Sequence, residues 1–120
     1  MVTTETMISN VYYGIPSGNY DGSSMNWFSD GLKAADYYRG HGSVQSVRYQ
    51  LNGVVAKMYV EATLDPDPDT ANWVTTFVIT DGENPINVYR SDTITGNFTW
   101  MRIRVEDFTD GWIQLVTLSY

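Results

Sequence analysis

The residues able to do chemistry are few and scattered. The chain has one histidine, His41, set between Gly40 and Gly42, and no cysteine. Nucleophilic catalysis needs a base held beside the nucleophile and a third group to orient that base. A lone imidazole between two glycines reads instead as a solvent-facing turn residue. A paired-carboxylate hydrolase needs only two acids across a groove, and Glu61 with Asp30 or Asp36 are the candidates. Most acids, however, fall in turns, where Asp favours the backbone geometry by itself. The missing cysteine removes disulfides, thiolate metal sites and cysteine nucleophiles. The expectation is a protein that is not an enzyme and carries no cofactor.

Two stretches remain. In Asp65-Pro66-Asp67-Pro68-Asp69 an extended backbone throws alternating carboxylates to one side, a candidate calcium site at Asp65, Asp67 and Asp69. It fails the helix-loop-helix calcium pattern, with Thr70 where Gly is needed and Thr76 where Glu is needed. A solvated loop is the competing reading. The run 98–105 places Phe98, Trp100, Arg102 and Arg104 on one side and Thr99, Met101, Ile103 and Val105 on the other. With the second set in the core, Trp100 and two arginines share the outer face, and Trp and Arg are the residues most enriched at binding hot spots. The alternative is that both arginines pair with an acid on a neighbouring strand, such as Glu61, while a bulge turns Trp100 inward. Trp27, Trp73 and Trp112 sit at strand starts or in loops, where burial against the sandwich ends competes with sugar stacking and burial is the expected role for most of them.

These side chains need a scaffold, and the pattern predicts β-strands. Period-two runs occupy 8–13, 43–51, 54–64, 72–80, 86–91, 98–105 and 113–120. Asn52-Gly53 tolerates the positive φ of a tight hairpin, so 43–51 and 54–64 are expected to pair with each other. The segments 65–69, 81–85 and 107–111 read as turns, and Asp30 to Asp36 has room for one helical turn at most. The fold class is all-β, an antiparallel β-sandwich or jelly roll. The 120 residues suit one domain, here 9–120 behind a polar N-terminal arm, 1–8. A long connection from Gly14 to Gly42 carries six of the ten glycines. Interleaved aromatics mark Tyr20, Trp27, Phe28, Tyr37 and Tyr38 as interface candidates beside Trp100, Arg102 and Arg104.

A formal net charge of −7 opposes phosphate backbones and anionic lipid, so neither nucleic acid nor membrane is an expected partner. No targeting segment or spanning apolar run is visible. Read together, Gly31 to Tyr38, Val60 to Leu64, Asp65 to Trp73 and Ile94 to Arg102 resemble a β-rich virion structural domain of tailed phages of marine bacteria, especially cyanobacteria. The resemblance implies a location in the virion, as a small decoration or accessory subunit on capsid, neck or tail. It also implies other virion proteins as partners, and homo-oligomers. On that reading the arm and the Gly14 to Gly42 connection make the contacts, and deleting residues 2–7 would spare the fold. The alternative is a carbohydrate- or receptor-binding β-sandwich, marked by exposed aromatics in a row with polar groups beside them.

Overall fold

The computed structural model describes residues 3–37, 43–83 and 87–120. Among the described residues seven strands form: β1 (Thr4–Tyr12), β2 (Trp27–Phe28), β3 (Leu32–Lys33), β4 (Val44–Thr63), β5 (Val74–Glu83), β6 (Val88–Thr95) and β7 (Trp100–Ser119). All pairings are antiparallel, and no helix occurs among the described residues. In place of the helical turn allowed between Asp30 and Asp36 lie the short strand β3 and, after it, a turn in which the Tyr37 N–H donates to the Ala34 carbonyl.

Two strands of 20 residues, β4 and β7, organise everything else. They pair along nearly their whole length. The first half of β4 has β6 on its other edge, and the facing half of β7 has β1, giving the order β6-β4-β7-β1. The second half of β4 has β5 on its other edge, and its β7 partner has β2 and β3. The result is an antiparallel sandwich whose two layers share their central strands. Both layers face one core. In β4 the buried apolar positions are Val47, Tyr49 and Leu51 before Asn52-Gly53, and Val54, Ala56, Met58, Val60 and Ala62 after it. The parity of burial thus changes from odd to even at the glycine.

That switch corrects the hairpin expectation. Asn52-Gly53 does not reverse the chain; β4 runs through it. Gly53 takes φ +62° within a stretch where the register shifts between Asn52 and Val55. Positive φ is what a hairpin turn needs, but it is also what a bulge needs. The flanking runs bend here because each finds a better partner in β7. The segment 107–111, expected as a turn, is likewise the interior of β7, with Asp107 at φ +53° and Gly111 at φ +102°. A Cβ on Gly111 would overlap the Val54 Cα and the Gly53 carbonyl. The two backbones therefore touch at the bend. Similarly β5 continues through Asp81 and Gly82, which the sequence places in a turn. The expected start of the next strand at Ile86 lies outside the described residues.

The N-terminal arm is also corrected. From Thr4 the chain is strand, paired with β7 through Thr4↔Ser119, Glu5↔Leu118 and Thr6↔Thr117, and Met7 and Ile8 are buried. Thr3 and Tyr120 exchange both backbone hydrogen bonds, at 2.7 and 2.9 Å. Alternating β-branched residues suit a pleated edge, and β7 offers an open edge there.

Two tests follow from this architecture. Gly111→Ala combines a disfavoured φ with overlap against backbone and should cost about 3 kcal/mol. Gly53→Ala meets only the φ penalty, since the space around it is open, and should cost about 1 kcal/mol; urea denaturation of both variants measures the difference. Deletion of residues 2–7 should lower Tm by on the order of 10 °C, where an unpaired arm would leave the melt unchanged.

Candidate functional site

In the layer β5-β4-β7-β2/β3, residues alternating with the core point outward. Register places them in rows: Thr63 beside Trp100, Glu61 beside Arg102, Tyr59 beside Arg104 and Lys57 beside Glu106. Phe28 lies next to Arg104 and Lys33 next to Trp100 on the far edge. The sequence-predicted outer set Trp100, Arg102 and Arg104 is therefore gathered on one face with Phe28.

The centre of the face is Glu61, only 5% exposed. The Arg102 Nε donates to its Oε1 at 2.8 Å, and Arg104 Nη1 stands 3.5 Å from its Oε2. Arg104 Nε is also 3.4 Å from Glu106 Oε1. Each guanidinium is packed against rings. That of Arg102 lies 4.1 Å from the Phe28 centroid and 4.3 Å from that of Trp73, and that of Arg104 lies 4.5 Å from Tyr59. Cation–π contacts of this kind strengthen as water is excluded. With Nε spent on Glu61, the terminal nitrogens of Arg102 have no hydrogen-bond partner among the described residues. The strip continues to Tyr37, whose ring meets Trp100 edge-on at 5.1 Å and carries Lys33 Nζ 4.5 Å from its centroid. Although the chain is acidic, Lys33, Lys57, Arg102 and Arg104, four of its seven basic residues, lie on this face.

Loops fix the rings that do not sit on long strands. Trp73 ends the Asp-Pro segment, which is closed by its own acids: Asp65 Oδ2 accepts the Asn72 N–H at 2.7 Å and Asp67 Oδ1 accepts the Asp69 N–H at 2.9 Å. The Thr99 hydroxyl donates to the Asp65 carbonyl at 2.6 Å, and the Trp100 indole donates to the Pro66 carbonyl at 3.1 Å. The Asp65 and Asp67 carboxylates thus serve turn geometry, with Asp69 joined to it through its backbone N–H, and among the described residues no three acids or imidazoles gather as a metal site. Phe28 is held by its neighbour: the Ile103 N–H donates to Ser29 Oγ at 2.8 Å, and the Ser29 N–H to the Ile103 carbonyl at 2.9 Å. Upstream, Asp21 accepts the backbone N–H groups of Ser23 and Ser24 and the Ser24 hydroxyl. Those bonds, the Ser23 N–H first, lower its pKa to about 2.

Other expected residues fall elsewhere. Tyr20 and Trp27 are core, not surface: they cluster with Phe108 at ring separations of 5.1 to 6.3 Å, and the Tyr20 hydroxyl accepts the Gly14 N–H. A glycine-rich connection carries them inward because it needs its own apolar anchors. Tyr38 and His41 lie outside the described residues. Glu61 is held by the arginines, while Asp30 Oδ1 accepts from the Asn19 amide. Trp100 is half-buried, capped by its indole bond to Pro66 without a bulge in that row. Sequence reasoning passed over Tyr59 and grouped Trp73 with the loop tryptophans expected to be buried. The alternation of Tyr59 with Glu61 was a usable signal for the first; for the second there was none, since only loop closure brings it to Arg102.

No protein-family model and no curated protein matches the chain. Among solved structures it is similar to a variant of a family 29 carbohydrate-binding module, at 14% identity and a TM-score of 0.44, covering 99% of this chain and 92% of that one. It is also similar to the N-terminal cellulose-binding domain of Cellulomonas fimi β-1,4-glucanase C, at 15% identity and a TM-score of 0.39, covering 92% and 84%. A third likeness is to a structure described as a CBM4, at 13% and 0.37, covering 92% and 88%. Likenesses at this level carry no weight for function, which rests on the side chains.

Removing the central acid tests the network. Glu61→Ala leaves the Arg102 guanidinium packed on rings without a counterion and Arg104 with Glu106 alone; it should cost about 2 kcal/mol by urea denaturation, below the full buried-pair penalty because both arginines are partly exposed. An unchanged midpoint would show that the pairing contributes nothing.

Proposed function

We propose that the protein is a carbohydrate-binding β-sandwich whose ligand lies along the strip from Tyr37 to Tyr59. The observation that carries this reading is the Arg102 guanidinium held between Phe28 and Trp73, with Nε on Glu61 and its terminal nitrogens unclaimed by the described residues. A pyranose presents an apolar C–H face and a rim of hydroxyls. Aromatic rings take the first, and a planar guanidinium takes two adjacent oxygens of the second. Phe28 is 44% exposed, so part of its ring remains free for such a contact.

Charge points to a neutral ligand. Arg102 and Arg104 already share Glu61, with Glu106 beside Arg104, and Lys57 stands 3.7 Å from Asp107. A polyanion would meet this self-neutralised face and, beyond it, an acidic protein. The side chains are immobilised before binding, which reduces the ordering cost that a ligand must offset. The protein acts by holding its ligand without turning it over. The resemblance in sequence to virion structural domains adds to this reading the proposal that the chain is a decoration or accessory subunit of a particle and that its ligand lies on a host surface.

A glycan array and affinity electrophoresis in soluble polysaccharides test the reading. The wild-type chain should be retarded by at least one neutral polysaccharide. Trp73→Ala and Arg102→Met should each weaken retardation roughly tenfold or more, as expected for central contacts of a binding face. Failure of the wild-type chain to bind any glycan would overturn the proposal.

A further inference from the structure

A second cleft lies away from the strip, at the bend of the two long strands. It measures about 390 Å³ and is walled by Tyr12, Trp112, Tyr13 and Ile15, with Asn52 and Asp110 at its polar side. Register explains the assembly. Tyr12, Trp112 and Asn52 stand in one row across β1, β7 and β4, on the outer face of the other layer. Tyr12 and Trp112 stack at 4.7 Å with their planes 13° apart. Backbone bonds hold the lip, the Tyr13 N–H donating to the Gly111 carbonyl at 2.9 Å and the Ile15 N–H to the Tyr12 carbonyl at 3.2 Å. Large apolar groups nevertheless remain open to solvent here: Tyr12, Tyr13 and Ile15 are all exposed.

The polar groups of the cleft are incompletely used. Asp110 Oδ1 accepts the Gly111 N–H at 2.8 Å, while Oδ2 has no hydrogen bond among the described residues. The Asn52 amide has none either, and the Trp112 indole N–H is buried without an acceptor. A stacked aromatic wall, one amide and one carboxylate oxygen form a set that a polyhydroxylated ring answers. Its C–H face covers the rings, one hydroxyl donates to Asp110, and a neighbouring oxygen accepts from Asn52. The volume suits one or two sugar rings, near the lower end of the range for small-molecule sites.

We infer that this cleft is a second saccharide site, specific for a neutral hexose with adjacent hydroxyls and independent of the strip. The chain would then hold two glycans, one on each layer. The bend that makes the sandwich also makes this site, because Gly111 and Asn52 bring Trp112 and the amide to the same corner. The inference does not require the strip to bind sugar.

The test uses the full chain with Trp73→Ala and Arg102→Met combined, which removes the strip but touches nothing in the cleft. Methyl glycosides of glucose, galactose and mannose are titrated while the indole N–H resonances are followed by NMR. The expected result is a saturable shift of the Trp112 resonance by at least one glycoside in the millimolar range. That shift should weaken roughly fivefold or more in Asn52→Ala and in Asp110→Asn; the latter keeps an oxygen for the Gly111 N–H. No Trp112 shift up to about 100 mM sugar, or equal shifts with and without Asn52 and Asp110, would overturn the inference. A chain that dimerises in sedimentation through Tyr12 and Ile15, with no response to sugar, would also overturn it by giving the cleft to a second copy. Loss of strip binding with retained cleft binding, or the reverse, separates the two sites.

Discussion

The close approach of Gly53 and Gly111 is the constraint on which the rest of the structure depends. Twenty residues of extended chain span about 65 Å, whereas the longest dimension of the molecule is 40 Å. Neither β4 nor β7 can be straight. Both bend, and they bend together only because one backbone lies against the other where no Cβ intervenes. A strand displaced by one residue presents its apolar set to water. The bulge at the bend absorbs that displacement, so that Leu51 before it and Val54 after it both reach the core. Sandwich closure and core continuity are one event at this corner.

The same corner distributes the surface. Before the bend, β7 carries Trp100, Arg102 and Arg104 outward in one layer; after it, Trp112 faces outward in the other. Both faces combine aromatic rings with polar groups, but they differ electrostatically. The strip contains its own counterions, arranged around Glu61. The cleft has a single carboxylate, Asp110, and no cationic side chain among its described walls. Arginine and ring contacts dominate the first; an amide, a carboxylate and stacked rings dominate the second.

How much of this could be read from the chain depends on whether a feature is local. Alternation is local, and it marked the β-class, the inward set Met101, Ile103 and Val105, and the outward Trp100, Arg102 and Arg104 that the structure places on one face. The Glu61 partnership was legible as one alternative for the same reason, since a cross-strand neighbour of opposite charge suffices. Asn52-Gly53 misled because a hairpin and a bulge draw on the same residues with positive φ; which one forms is settled by where the flanking strands find partners. Here β7, about 50 residues downstream in sequence, outcompetes the adjacent run. β1 was misjudged by a similar route: Thr-rich and polar, it looks unable to order alone, and only the open edge of β7 orders it. Tyr20 and Trp27 resemble Phe28 in composition and neighbourhood, yet a one-residue step between Trp27 and Phe28 sends one ring to Phe108 and the other to Arg102.

That single step shows why the aromatic content does not divide by segment. A two-residue strand has an inside and an outside like any other, so the Gly-rich connection supplies both a core anchor and a surface ring within one dipeptide. The anchor is what makes the ring useful. Trp27 under the sheet fixes the height of Phe28 over Arg102, and the Ser29 bonds to Ile103 fix its position along β7. A surface aromatic on a mobile loop would lose rotational freedom on binding, at about 0.5–1.5 kcal/mol for an immobilised side chain. Here that cost is met during folding by contacts in the core. A face so prepared can contribute with few atoms. Where copies of such a chain are displayed together, sites of modest individual affinity combine into strong attachment, provided the spacing lets them engage at once.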